Sequence, residues 1–255
     1  MNMYEKIIEP LDIQSGDIVM VSSDVRKLVF QCMRQKQEFD MNAFIDAFIA
    51  RIGSDGTLLF PVYNWDFCNG IAFDYKNTVG KTGSLGNAAL KRADFKRTKH
   101  PLYSFAVWGK DQKILCEKEY SSSFGEESIF AYLHDVNAKN AVFDVEIAKC
   151  CTFAHFVEET SGLVNYRYKK SFTAPYIDEN GQEQERTYEM FVRDLELDVK
   201  NVGPSEKDFL TEGVGQSVDV EGHHWFVFSF VDAYQMIDND IKHNKSRKIC
   251  RYKGQ

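Results

Sequence analysis

The 255-residue sequence contains no run of the roughly 18 to 20 apolar residues that a helix needs to cross a bilayer, which argues against a membrane span. Its opening, Met1-Asn2-Met3-Tyr4-Glu5-Lys6, lacks the apolar core of a secretory signal, so the expected compartment is the cytoplasm. Cysteine is present six times (Cys32, Cys68, Cys116, Cys150, Cys151, Cys250) but never as a CxxC pair, and HExxH is missing too. That pattern offers neither zinc-ligand spacing nor a disulfide framework; free thiols and no metal are expected. An excess of basic charge is also lacking: Lys and Arg number 31 against 38 Asp and Glu, for a net charge of -7. This balance disfavours attachment to phosphate backbones and is compatible with a cationic small substrate, so no nucleic-acid partner is expected. Internal repeats and low-complexity linkers are absent as well, and one domain over 1–255 with an irregular insert is the expected organisation.

What is present is an alternation of strand and helix signals. Asp17 to Ser23 reads as a short buried strand running into a polar turn, and such a strand end is a natural ligand-facing position. From Met41, apolar Phe44, Ile45, Phe48 and Ile49 recur at helical spacing, with Asp40 or Asn42 as cap and Gly53 or Gly56 as stop. Thr57 to Phe60 predicts a strand stopped by Pro61, followed by a turn-rich loop from Asn64 to Gly83, a helix around Leu85 to Leu90, and a strand from Phe105 to Trp108. Ala141 to Val145 predicts another strand, and Thr152 is placed as the cap of a helix from Phe153 to Thr160 that ends near Gly162. Tyr166 to Phe172 and Trp225 to Phe230 read as strands, and Val231 to Ile241 as a closing helix. The alternation favours an α/β layered fold.

Helical geometry puts His155 and Glu158 on one face, with Glu159 also in reach. A carboxylate beside an imidazole holds its tautomer and stabilises the imidazolium formed when it takes a proton. The same spacing is met by an ordinary ion pair on a helix surface. His223-His224 would point to opposite sides of a strand, which makes a shared metal unattractive. Cys150 and Cys151 near His155 raise the alternative of a thiol nucleophile, against the commoner role of cysteine as buried filler. Gly80, Gly83 and Gly86 form a glycine-rich turn that matches no phosphate-binding pattern.

With these segments in place, the chain resembles the aminoglycoside 3-N-acetyltransferase family, in register from about Gly16 to Phe172. The pieces that carry the resemblance are Val21-Ser22-Ser23 with Arg26 and Leu28, Gly56-Thr57-Leu58 with Pro61, Gly83-Ser84-Leu85, Lys99-His100-Pro101-Leu102-Tyr103-Ser104, Phe124-Gly125-Glu126-Glu127-Ser128, and above all Thr152-x-x-His155-x-x-Glu158. Departures stand at Cys151, where the family usually has asparagine, at the glycine-poor Asp144-Val145-Glu146, and at Tyr103, often histidine; they bear on acceptor specificity. The resemblance implies an α/β/α sandwich with a mixed central sheet, unlike the GCN5-type acetyltransferase fold. It implies acetyl-CoA as acyl donor, held by Ser22, Ser23, Gly83, Ser84, His100 and Ser104, and catalysis by His155 as base with Glu158 and Thr152. The implied acceptor is a primary amine of an amino-sugar, read here first as a nucleotide-linked amino-deoxysugar and alternatively as an aminoglycoside. A non-catalytic CoA- or sugar-binding protein and a homo-oligomer are left open.

Overall fold

The structure, a computed structural model, describes residues 2–252. The strands are β1 (Ile18–Ser23), β2 (Thr57–Pro61), β3 (Phe73–Asp74), β4 (Lys96–Arg97), β5 (Phe105–Gly109), β6 (Lys139–Phe143), β7 (Arg167–Ile177), β8 (Glu183–Arg193), β9 (Val199–Asn201), β10 (Gln216–Val220), β11 (His223–Ser229) and β12 (Cys250–Tyr252). The helices are α1 (Met3–Ile8), α2 (Arg26–Arg34), α3 (Met41–Ile52), α4 (Ser84–Ala89), α5 (Gln112–Glu117), α6 (Ile129–Asp135), α7 (Ile147–Cys150), α8 (Ala154–Ser161), α9 (Glu206–Thr211) and α10 (Phe230–Asn244).

Seven strands form one mixed sheet in the order β10-β11-β6-β1-β2-β5-β4. The central trio β6, β1 and β2 is parallel, and the flanking pairs are antiparallel. Both faces of this sheet are covered, and β1 shows how: Met20 joins one buried cluster with residues of α6, α8 and α10, while its neighbours Val19 and Val21 join a second with residues of α1, α3 and α4. The result is the expected α/β/α layering with a mixed central sheet.

Local chemistry sets the boundaries. The α3 helix starts where the Asp40 carboxylate accepts from the amides of Asn42 and Ala43, at 2.9 and 3.1 Å, and stops at Gly53 with a φ of 68°. Strand β6 ends two residues earlier than the sequence suggests, because Asp144 turns into the left-handed region at a φ of 49°. Its carboxylate holds that turn by accepting from the His224 amide at 2.9 Å and meeting His223 Nδ1 at 2.5 Å. The two histidines of the doublet do diverge: His223 is fully buried on Asp144, and His224 faces Asp219 and Glu206.

The turn-rich stretch after Asn64 holds a short 3₁₀ turn (Asp66–Asn69) and β3, which joins the long β7–β8 hairpin in a second sheet ordered β3-β7-β8. The partner strand β8 was not anticipated, because its glutamates, arginine and threonine carry no clear hydrophobic alternation. All six cysteines are free thiols.

Candidate active site

The central strands β6, β1 and β2 run parallel. The chain leaves β1 for α2, whose Leu28 and Cys32 join one buried cluster, and leaves β6 for α8, whose Ala154 and Val157 join the other, so the carboxyl ends of β1 and β6 frame a crevice at a topological switch point. A cleft of about 330 Å³ opens there. Val21 to Ser23 and Phe60-Pro61 form its floor, Thr82 to Gly86 one wall, and Val145 to His155 the other. Gly86 is needed for this shape, because a Cβ at that position would fall 2.6 Å from the Pro61 carbonyl oxygen and push α4 away from the end of β2.

Helix α8 begins one residue later than expected, with Phe153 rather than Thr152 at its cap position and no side-chain cap bond. Thr152 contributes its carbonyl instead, which accepts from the His155 amide at 3.0 Å. The helix ends at Gly162, whose φ is 64°.

His155 Nδ1 lies 2.6 Å from Glu158 Oε2. Glu158 has no solvent exposure, so this contact differs from a solvated pair on a helix surface. The Tyr166 hydroxyl donates to Glu158 Oε1 at 2.9 Å, and Arg167 Nε lies 2.8 Å from Oε2. That guanidinium N–H is not aimed along a hydrogen bond, so the Arg167 contact is ionic in character. Burial alone would raise the Glu158 carboxyl; the His155 hydrogen bond and charge, the Arg167 charge and the Tyr166 hydroxyl outweigh it and hold the group below its usual range. An ionised Glu158 fixes the tautomer with the proton on Nδ1 and leaves Nε2 to accept a proton.

His155 lines a second groove as well, of about 730 Å³, on the side of the β7–β8 hairpin. Trp65 and Tyr103 are shared by both cavities, and the groove adds Arg167, Tyr168 and Lys170 from β7 and Arg193 to Glu196 at and just after the end of β8. The imidazole therefore stands where two cavities meet, an arrangement suited to a two-substrate transfer.

The other anticipated residues divide. Ser22, Ser23, Gly83, Thr152 and His155 come together in the first cleft. The Ser22 hydroxyl is turned inward to Asn140 Oδ1 at 3.2 Å, and Ser84 is exposed at the start of α4 beside Gly83. His100 and Ser104 are not brought to the cleft. His100 stacks on Tyr120, its Nε2 meets the Ser121 carbonyl, and its Nδ1 accepts from the amides of Leu102 and Tyr103; burial pushes it down to about 3. It is thus a neutral pin for the turn before β5. Ser104 donates to the Val62 carbonyl inside the protein.

Burial also pushes the Cys151 thiol up to about 12 and raises Cys150, which disfavours the thiolate that a covalent route would use. Tyr63, Trp65 and Thr82 are site residues that sequence reasoning missed. The available signal for the first two was position, since they directly follow the strand that ends at Pro61.

The fold agrees with the comparisons to known proteins. The sequence pattern of the aminoglycoside 3-N-acetyltransferase family matches residues 20–241, and the chain belongs to that family, as an acyl-CoA-dependent N-acyltransferase. Among solved structures, aminoglycoside acetyltransferase AAC(3)-Xa superposes with a TM-score of 0.74 at 17% identity, covering 92% of this chain and 91% of the other. The YokD protein from Bacillus subtilis gives 0.76 at 19%, covering 96% and 94%, and AAC-IIIb, in a binary structure with CoASH, gives 0.72 at 17%, covering 94% and 95%. No curated protein sequence matches the chain.

Proposed function

We propose that the protein transfers an acetyl group from acetyl-CoA to a primary amine of an amino-sugar, with His155 as general base. The observation that carries this reading is the position of His155 in the wall common to both cavities, with Nδ1 committed to a buried carboxylate. The cleft at the ends of β1 and β2 takes the acyl-pantetheine arm past Ser22, Ser23 and Gly83, and the groove beside the hairpin takes the acceptor. With acetyl-CoA as donor, the reaction belongs in the cytoplasm.

A sugar amine is mostly protonated at neutral pH and cannot attack until it loses a proton. His155 Nε2 takes that proton while Glu158 stabilises the imidazolium. The amine nitrogen then bonds to the thioester carbon, the carbonyl pair moves onto oxygen, and collapse breaks the C–S bond. The departing CoA thiolate receives the proton from His155, and the second proton on the acylated nitrogen is released to water, so that an ammonium and acetyl-CoA give an amide, CoASH and one proton.

Aminoglycosides are the first acceptor class to test, because the family and the superposed enzymes are named for them. A nucleotide-linked amino-deoxysugar is the second reading, favoured by one observation. With Arg167 already paired to the buried Glu158, the acceptor groove sets Lys170 and Arg193 against Asp194 and Glu196 and so lacks the excess of carboxylates that a polycationic acceptor favours. The test is CoA release with aminoglycosides and amino-sugar nucleotides at equal concentration. A kcat/KM at least about tenfold higher for one class, roughly 1.4 kcal/mol of transition-state preference, assigns the acceptor. Absence of CoA release with every amine would leave a binding protein instead.

A further inference from the structure

Tyr63 lies just beyond β2 and is 4% exposed, yet its hydroxyl has no hydrogen-bond partner in the protein. A buried hydroxyl left unpaired loses the hydrogen bonds water would give it, so its retention calls for an explanation. The cavity supplies one, since Tyr63 lines the first cleft together with Ser22, Thr152 and His155. The Thr152 hydroxyl is near enough to favour the phenolate slightly, but it does not complete a hydrogen bond with the phenol.

The side chain is also held still. Its ring centroid is 4.8 Å from that of Tyr103 and 5.4 Å from that of Phe105, the latter edge to face. The Tyr63 amide donates to Thr82 Oγ1 at 3.0 Å, and its carbonyl accepts from the Lys81 amide at 2.7 Å, so the residue is tied to the wall of the cleft at Thr82 and Gly83. Burial raises the phenol well above its ordinary value of 10.0, which keeps the proton on oxygen and the group a donor. A fixed donor without a protein acceptor, on a side chain in the wall of the cavity that also holds His155, is what a developing oxyanion needs.

We propose that the Tyr63 hydroxyl is an oxyanion donor of acyl transfer, hydrogen-bonding the thioester carbonyl oxygen as charge develops there. The assignment rests on the acetyl-transfer reading above. Amine attack moves the carbonyl π pair onto that oxygen, and the Tyr63 O–H holds the charge without giving up its proton. Collapse returns the pair to carbon as the C–S bond breaks and CoA leaves, and the hydroxyl ends the cycle unchanged.

The test is Tyr63→Phe, which keeps the ring and removes only the unpaired oxygen, so its melting temperature is expected to equal or exceed that of the wild type. Loss of one such donor lowers kcat by about 10²–10³, with the KM for acetyl-CoA changed far less and the Kd for CoASH, which has no carbonyl, unaltered. Infrared difference spectra of bound acetyl-CoA labelled with ¹³C at the carbonyl give a readout that needs no acceptor. The carbonyl stretch is expected to be shifted to lower frequency in the wild type and less so in Tyr63→Phe. Unchanged kcat or an unchanged stretch would overturn the assignment while leaving the transferase reading intact. Failure of acetyl-CoA to bind the wild type would overturn both.

Discussion

The Tyr166 hydroxyl and the Glu158 carboxylate meet at 2.9 Å in a place closed to solvent, four residues after α8 has ended at Gly162. The bond ties the residue just before β7 to the helix that carries His155, and it occupies the carboxylate oxygen that His155 leaves free. Removing the hydroxyl with Tyr166→Phe leaves a buried, charged oxygen short of one donor. The expected loss is about 1.5–3 kcal/mol of unfolding free energy, measured by urea denaturation, because hydrogen bonds to charged groups are the costly ones to lose. A variant as stable as the wild type would show that His155 and Arg167 suffice to satisfy Glu158.

His155→Ala removes the proposed base. Turnover is expected to fall by about 10²–10⁴, while CoASH still raises the melting temperature as it does in the wild type. Activity above about a tenth of wild type would assign the proton transfer to another group.

Cys151→Ala is expected to keep substantial activity, since the thiol is buried and held protonated. Intact-mass measurement during turnover should find no acetyl group on the protein. An adduct that maps to Cys151 would restore the covalent route.

His224 gives the fold a pH dependence outside the site. Burial lowers its imidazole, but hydrogen bonds to Asp219 and Glu206 and their charges outweigh this and raise it above its ordinary 6.5. The folded state therefore binds the proton more tightly than the unfolded chain does. The stabilisation is full below about pH 6.5 and is lost as pH rises through the higher folded value. The contact is partly solvated, so its size is discounted to within ~1 kcal/mol. His224→Gln should be less stable than wild type at pH 6 and nearly equal to it at pH 9, by urea denaturation at both. Equal stability at both values would exclude the linkage.

Much of the fold was legible because its signals are local. The Asp40 cap, the apolar spacing from Phe44 to Ile49 and the Gly53 stop define α3 without reference to the rest of the chain. The α8 helix was found with its His155–Glu158 pair, although Thr152 caps nothing with its side chain. The β7–β8 hairpin was half missed, since strands of charged and polar residues are stabilised by their pairing and not by an amphipathic pattern.

By itself the sequence determined the layered α/β class, the order of its central elements and the helix that presents His155 toward Glu158, because periodicity, capping and short spacings act between residues close in the chain. Only the tertiary structure decided that Glu158 is sealed from water by Tyr166 and Arg167, that His100 is a buried pin outside the cleft, and that Tyr63, in the cleft wall, carries a buried hydroxyl without a partner. Burial and hydrogen-bond satisfaction depend on which distant segments pack together, and a sequence read locally does not contain that information.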